Sequence, residues 1–213
     1  MKRRLVLLGP PGSGKGTQGS LLASHLGVPT VSTGALFRDQ MARGTALGVE
    51  AATYMAQGHL VPDRVVNAMV RSRFSSPDAE WGFILDGYPR NVPQVGVLDA
   101  ILAERGLAVE AAVCLELPED LIVTRLLRRA ELEGRVDDTE PVIRERLAVY
   151  HRETEPIVAV YRARGLLVPV DAVGTVEDVA GRVLGALGAA AGVGDPDLAG
   201  PDSAGLDLAE RGR

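Results

Sequence analysis

One stretch constrains this chain more than any other: Gly9-Pro10-Pro11-Gly12-Ser13-Gly14-Lys15-Gly16-Thr17. Before it runs Leu5-Val6-Leu7-Leu8, an unbroken apolar stretch that reads as a strand buried on both faces. After it, Gln18 to Leu26 carries Leu21, Leu22 and Leu26 at helical spacing. Strand, glycine turn and helix form the context of a phosphate-binding loop. Glycines let the backbone turn sharply and aim successive N–H groups inward, and the helix N-terminus adds partial positive charge. Lys15 supplies a compact cation for the outer phosphates. Against the general pattern GxxxxGK[ST] there is one departure: Gly16 stands where the hydroxyl residue belongs, and Thr17 follows. Glycines alone also mark ordinary tight turns. The strand, the helix and the lysine together point to a nucleotide-phosphate site.

The 213 residues suffice for one good core with a small appendage. Apolar residues make up 46% and charged residues 24%, a globular balance. No apolar run reaches membrane-spanning length and no signal-peptide pattern opens the chain, so a cytoplasmic protein is expected. The single cysteine, Cys114, excludes a disulfide framework or a cysteine-cluster zinc site, and its apolar surroundings make it a small buried residue. A net charge of −5 offers no basic field for nucleic acid. Lys2 and Lys15 are the only lysines among 23 basic residues, so in a chain that otherwise uses Arg the loop keeps Lys.

Farther along, Val28 to Val31 reads as a short strand, and Ser32 or Thr33 can cap a helix from Ala35 through Arg43. A second short helix spans Leu47 to Gln57 and closes at Gly58. Asp63 is then expected to cap a helix through Arg73. Residues 32–63 thus interrupt the alternation of strands and helices as a flap. Gly82 to Asp86 is a strand ending in an acid, which beside a phosphate loop reads as a metal-facing carboxylate. A helix from Val92 to Arg105, a strand from Ala111 to Leu117 and an Arg-bearing helix after Pro118 follow. Next come a break from Leu132 to Asp138, a long helix from Pro141 to Arg164, a last strand from Leu166 to Val170, and a helix capped by Thr175. From Ala189 the composition turns to Gly, Ala, Asp and Pro, and a disordered tail is expected over residues 189–213. The pattern predicts an α/β fold: a five-stranded parallel sheet with helices on both faces and the ligand at the strands' carboxyl ends.

Several motifs in correct order resemble bacterial adenylate kinases of the short-lid form, over roughly residues 1–186. They are GPPGSGKGTQ from Gly9, Ser32-Thr33-Gly34 with Arg38, Gly58 to Asp63, Phe83 to Arg90 with Gln94, and Arg135 to Asp138 with Arg146. The resemblance implies the P-loop nucleoside monophosphate kinase type of fold. Its core would be 1–31 and 64–188, its helical NMP-binding flap 32–63 and its short lid 129–138. It implies reversible phosphoryl transfer from ATP to AMP giving two ADP, and a monomer without nucleic-acid or membrane partners. ATP would lie on Gly12, Ser13, Gly14, Lys15, Gly16, Thr17, Arg129 and Gly174. AMP would meet Thr33, Arg38, His59, Leu60, Val61, Gly87, Tyr88, Pro89, Arg90, Gln94, Arg135 and Arg146. The catalytic groups would be Lys15, Arg90, Arg129, Arg135 and Arg146, with Asp86 holding Mg²⁺ through water and no zinc.

The attacking phosphate oxygen is already anionic, so no general base is required, and His25, His59 and His151 read as ordinary surface or packing residues. Arg128, Arg144, Arg152, Arg162 and Arg164 fit solvated helix faces, although Arg128, beside the expected lid arginine, could instead compete with Arg129 for the same phosphates. A UMP/CMP kinase of the same fold is the nearest rival, disfavoured by Thr33 and Gln94. A non-catalytic nucleotide-binding protein would be expected to lose Lys15 or the arginines. A switch GTPase would need a hydroxyl directly after Lys15.

Overall fold

The computed structural model describes residues 1–133 and 139–189. Strand β1 (Arg4–Leu8) runs through the glycine loop into helix α1 (Lys15–Leu26). The helix therefore begins at the lysine itself rather than at Gln18. Its first turn faces the cavity described below, so it carries none of the apolar spacing that marks the rest. Strand β2 (Thr30–Ser32) starts later than expected. Pro29 has no N–H for a ladder and contributes only its carbonyl, which accepts from Ile84 N at 2.9 Å.

The flap comprises α2 (Thr33–Ala42) and α3 (Ala46–Met55). Ser32 Oγ caps α2 by accepting from Ala35 N at 3.4 Å, and Thr45 Oγ1 caps α3 by accepting from Gly48 N at 3.0 Å. Gly58 follows at φ 77°, a conformation that only glycine adopts without strain. Helix α4 (Asp63–Phe74) corrects one expectation. Asp63 is its first residue rather than its cap, and its carboxylate accepts hydrogen bonds from a different part of the chain.

Strand β3 (Phe83–Asp86), helix α5 (Val92–Ala103), strand β4 (Ala111–Glu116) and helix α6 (Glu119–Glu133) follow. The continuous helix expected from Pro141 to Arg164 is in fact two, α7 (Glu140–Val149) and α8 (Pro156–Ala163), joined by a π-helical turn at Tyr150–Thr154. Pro156 has no N–H for a bond back along the helix, and the turn before it widens until Glu155 N reaches Tyr150 O at 2.9 Å. Strand β5 (Leu167–Asp171) leads to α9 (Val176–Ala189), where Thr175 and Asp178 cap each other reciprocally. Residues 134–138 of the expected lid, Arg135 among them, and the expected tail beyond Ala189 lie outside the described residues.

The sheet is parallel with strand order β2-β3-β1-β4-β5. Side chains alternate along β1, and each parity enters a different core. Leu5 and Leu7 pack with Leu22, Leu26, Val113, Val183 and Leu187 beneath α1 and α9. Val6 and Leu8 pack with Leu85, Leu98, Leu102, Ile157 and Tyr161 on the opposite face. That second core continues through Val31, Val61 and Val66 into Phe37 and Ala51 of the flap.

Candidate functional site

The segments that leave the carboxyl ends of the strands, with parts of α6 and α7, enclose a cavity of about 990 Å³. β1 lies between β3 and β4, so the chain departs to opposite sides of it. A crevice opens there, as in other sheets of this kind.

On one side the glycine loop forms the wall. Gly9, Gly12 and Gly14 all have positive φ. At Gly12 an added Cβ would come within 2.9 Å of Leu126, so the loop must also be bare to pass α6. Helices α2, α3, α5 and α9 begin under a side-chain oxygen, whereas α1 begins at Gly14 with no side-chain cap and no acid in its first turn. Its first N–H groups are thus available to an anion. Lys15 Nζ donates to Gly9 O at 2.7 Å, to Pro10 O at 2.8 Å and to Ser13 Oγ at 3.4 Å. Burial pushes its pKa down to about 8; Arg90 and Arg129 add to the shift and Asp86 opposes it. Asp86 arrives beside the loop because β3 pairs with β1 in a register that sets Leu7 against it. Its Oδ2 accepts from Ser32 Oγ at 3.3 Å.

On the other side lie Thr33, Gly34, Arg38, His59, Leu60, Val61, Gly87, Arg90 and Gln94. Thr33 Oγ1 donates to Gly87 O at 2.9 Å, and Arg90 Nε donates to the same carbonyl at 2.8 Å. Gly87 needs its φ of 81°, and a Cβ there would lie 2.8 Å from Thr33 Oγ1. The Arg90 guanidinium is open to the cavity but enclosed by protein elsewhere. That burial, with Arg146 and Arg38 nearby, pulls its pKa below the usual arginine value, and Asp86 opposes. Arg129 of α6 and Arg146 of α7 also border the cavity. Cations from separate elements therefore converge on one space, which concentrates positive potential despite the acidic total.

Of the expected site residues, Arg135 lies outside the described ones. Tyr88 and Pro89 do not line the cavity: Tyr88 is fully buried, and its hydroxyl donates to Asn67 Oδ1 at 2.7 Å on the core side. The Tyr88 ring belongs to the core cluster that also holds Val66, Val95 and Leu98, an apolar setting that suits it better than a polar ligand. Gly174 does line the cavity, with Thr175 and Val176. Arg128, which the sequence left between open solvent and the phosphates that Arg129 would meet, is exposed and borders the cavity, as does Arg125. Sequence reasoning passed over Gln18. Its Nε2 donates to Val176 O at 2.9 Å and so ties the start of α1 to the first residue of α9. Its place directly after Thr17 in the loop motif was the available signal.

Among the described residues no group of three or more His, Cys, Asp or Glu side chains is placed to hold a metal ion. What Asp86 offers is one carboxylate with open space beside it; a side chain on Gly16 would begin 3.8 Å from its Oδ2. A single carboxylate supplemented by waters and phosphate oxygens suits Mg²⁺, which sheds water reluctantly. No helix of the described residues is long and apolar enough to cross a membrane.

A family model described as Adenylate kinase matches residues 7–166. Over 184 residues the chain is 50% identical to an adenylate kinase of Nocardioides sp., covering 86% of this chain and 96% of that protein. An adenylate kinase of Micrococcus luteus is 52% identical over 184 residues, 86% of this chain and 90% of its own. One from Thermobifida fusca is 49% identical over 184 residues, 86% and 97%.

Proposed function

The chain belongs to the adenylate kinase family and transfers a phosphoryl group between ATP and AMP, and on that premise we propose how its cavity divides the work. ATP phosphates lie along the amides of Gly12 to Thr17 and against Lys15, with the donor base toward Gly174 to Val176. AMP occupies the wall of Thr33, Arg38, the His59 to Val61 backbone, Gly87, Arg90 and Gln94. Arg129 and Arg146, with Arg135 from the short lid, draw in around the transferred group. The observation that carries this division is the pair of walls facing one another across a single cavity. One is a bare helix N-terminus with a lysine, and the other a polar pocket around Thr33 and Gln94.

The attacking atom is an AMP phosphate oxygen, largely ionised at neutral pH, so no side chain has to remove a proton. His59 and His151 lie near Glu145 and Glu155 respectively, and neither is required. The chain's own contribution is alignment and charge neutralisation of a loose transition state. Lys15 and the arginines act as preoriented cations. Asp86 would hold Mg²⁺ through water, and bound with ATP the ion supplies further neutralisation of the β and γ phosphates.

Acceptor choice rests on Thr33 and Gln94, both almost completely buried. A hydrogen-bonding site rejects analogues that leave its buried polar groups unpaired, by factors that can reach about 10⁴. The test offers AMP, CMP, UMP and GMP separately with ATP and Mg²⁺ and measures ADP formation. AMP should be used far better than the others; equal use of CMP or UMP would reverse the assignment. A cytoplasmic monomer is the accompanying expectation. Sedimentation of the pure protein at working concentration checks its state of assembly.

A further inference from the structure

Asp63 reaches across the fold to the side chain that reads the acceptor base. Its Oδ1 accepts from Gln94 Nε2 at 2.6 Å, and both its oxygens accept from Asn91 Nδ2, at 3.0 and 3.1 Å. At the other end of the same amide, Gln94 Oε1 accepts from Arg90 N at 2.7 Å. Asn91 Oδ1 in turn accepts from Gln94 N at 2.9 Å, so the backbone beneath the side chain is held as well. Gln94 is 2% exposed, and what remains of its surface faces the cavity.

A carboxamide is nearly symmetrical in shape but not in chemistry, and its two ends are told apart by their partners. A carboxylate can only accept, so the group facing Asp63 must be the NH₂. A backbone N–H can only donate, so the group facing Arg90 N must be the oxygen. Each end still has one position left: a second N–H on Nε2 and a second lone pair on Oε1. An amide fixed this way offers a donor and an acceptor side by side in one order. Adenine presents a ring-nitrogen acceptor beside an amino donor and matches one order. Hypoxanthine and guanine present an N–H donor beside a carbonyl acceptor and match the reverse.

We propose that Asp63 is a specificity-determining positioning residue: it sets the orientation of the Gln94 amide and thereby makes the acceptor site select a 6-amino purine over a 6-oxo purine. The inference rests on the reading of Gln94 as the residue that meets the AMP base. Asp63 itself touches no substrate. Its charge strengthens the bond to Nε2 relative to a neutral acceptor. Its anchor on Asn91 keeps the carboxylate from following the amide if the amide turns. The function of this acid in the segment Val61-Pro62-Asp63 is then not to cap α4 but to hold the reader still.

The experiment compares AMP with inosine 5′-monophosphate, which differ only at the edge in question, as acceptors with saturating ATP and Mg²⁺. The readout is the ratio of their kcat/KM values. In Asp63→Ala the ratio is expected to fall about tenfold or more, through a higher KM for AMP and a gain for the inosine nucleotide. Asp63→Asn keeps an oxygen at the Oδ1 position and should restore most of the ratio. Asp63→Ser keeps a polar group at the start of α4 but withdraws it from Nε2; it should behave as Asp63→Ala does, and it replaces that variant if alanine impairs folding. Equal losses for both acceptors with an unchanged ratio, in Ala and Ser alike, would overturn the proposal and leave Asp63 a structural residue. Gln94→Ala separates the two levels: it must abolish the preference for AMP. If it does not, the reading of Gln94 fails. If it does while Asp63→Ala keeps the wild-type ratio, only the role of Asp63 fails.

Discussion

The Lys15 ammonium donates to the carbonyl oxygen of Gly9 at 2.7 Å, so the lysine is drawn back over the loop that it terminates. Its tip meets backbone oxygens and one hydroxyl, and no apolar neighbour depends on its charge. Lys15→Met should therefore leave the melting temperature within a few degrees of wild type and remove most of the turnover. Loss of one preoriented cation at the transferring phosphates is expected to raise the barrier by roughly 3–4 kcal/mol. Near-normal turnover in the variant would contradict the phosphate-loop assignment.

The same lysine should make nucleotide binding depend on pH on the alkaline side. Burial lowers its pKa from 10.5 to about 8, so between those values the unfolded chain holds a proton that the folded chain has released. The unfolded state binds more protons there, and the contribution of this group to stability rises with pH across that window. Phosphates favour the charged form and pull the other way. ATP binding should then take up a proton and weaken as pH rises above about 8, an effect that titration calorimetry in buffers of different ionisation enthalpy measures directly. Lys15→Met should abolish the proton uptake, and an affinity that stays flat up to pH 10 in the wild type would refute the coupling.

Gly87 carries a second sharp expectation. Its carbonyl receives both Thr33 Oγ1 and Arg90 Nε, and its φ of 81° excludes an easy side chain. Gly87→Ala should push Thr33 and Arg90 apart, lowering kcat/KM for AMP by about 10²-fold, because small displacements of aligned groups are costly. The affinity for ATP alone should change far less. Equal losses for both nucleotides would point to a general unfolding of the site.

No zinc should be needed. Cys114, the one cysteine, is buried in β4 with its thiol pushed up to about 11 chiefly by burial, the opposite of a metal-binding thiolate. Treating the pure protein with a zinc-selective chelator and restoring Mg²⁺ should change neither melting temperature nor activity. A loss of either that only zinc repairs would reveal a site of another kind.

How far the sequence could be read depended on where each residue's partners lie. The phosphate loop was legible because its chemistry is local: strand, glycines, lysine and helix occur in one stretch. The strands were legible from apolar runs, within a residue or two. Helix α1 was expected to start late because its first turn faces a ligand cavity, where apolar periodicity does not apply. The break at Tyr150–Thr154 was missed because α7 and α8 both look helical and only Pro156 marks the join. Asp63 looked like a cap because its true partners, Asn91 and Gln94, are far along the chain and no local pattern announces them. Tyr88 was placed with the AMP set through its motif, whereas its ring belongs to the core. Gln18 and Arg128 joined the cavity only once α9 and α6 had been folded against the loop.

The alternation along β1 has a consequence for how this protein tolerates change. Leu5 and Leu7 answer to the packing beneath α1 and α9, Val6 and Leu8 to the packing that runs on into the flap. The sheet is a partition, and the side chains on its two faces form separate clusters. Truncations such as Leu22→Ala and Leu98→Ala, one in each core, should each cost about 2–5 kcal/mol and combine additively to within about 0.5 kcal/mol. Drift on the donor side can then accumulate without altering the acceptor side, and the two binding walls are free to diverge at different rates while sharing one strand.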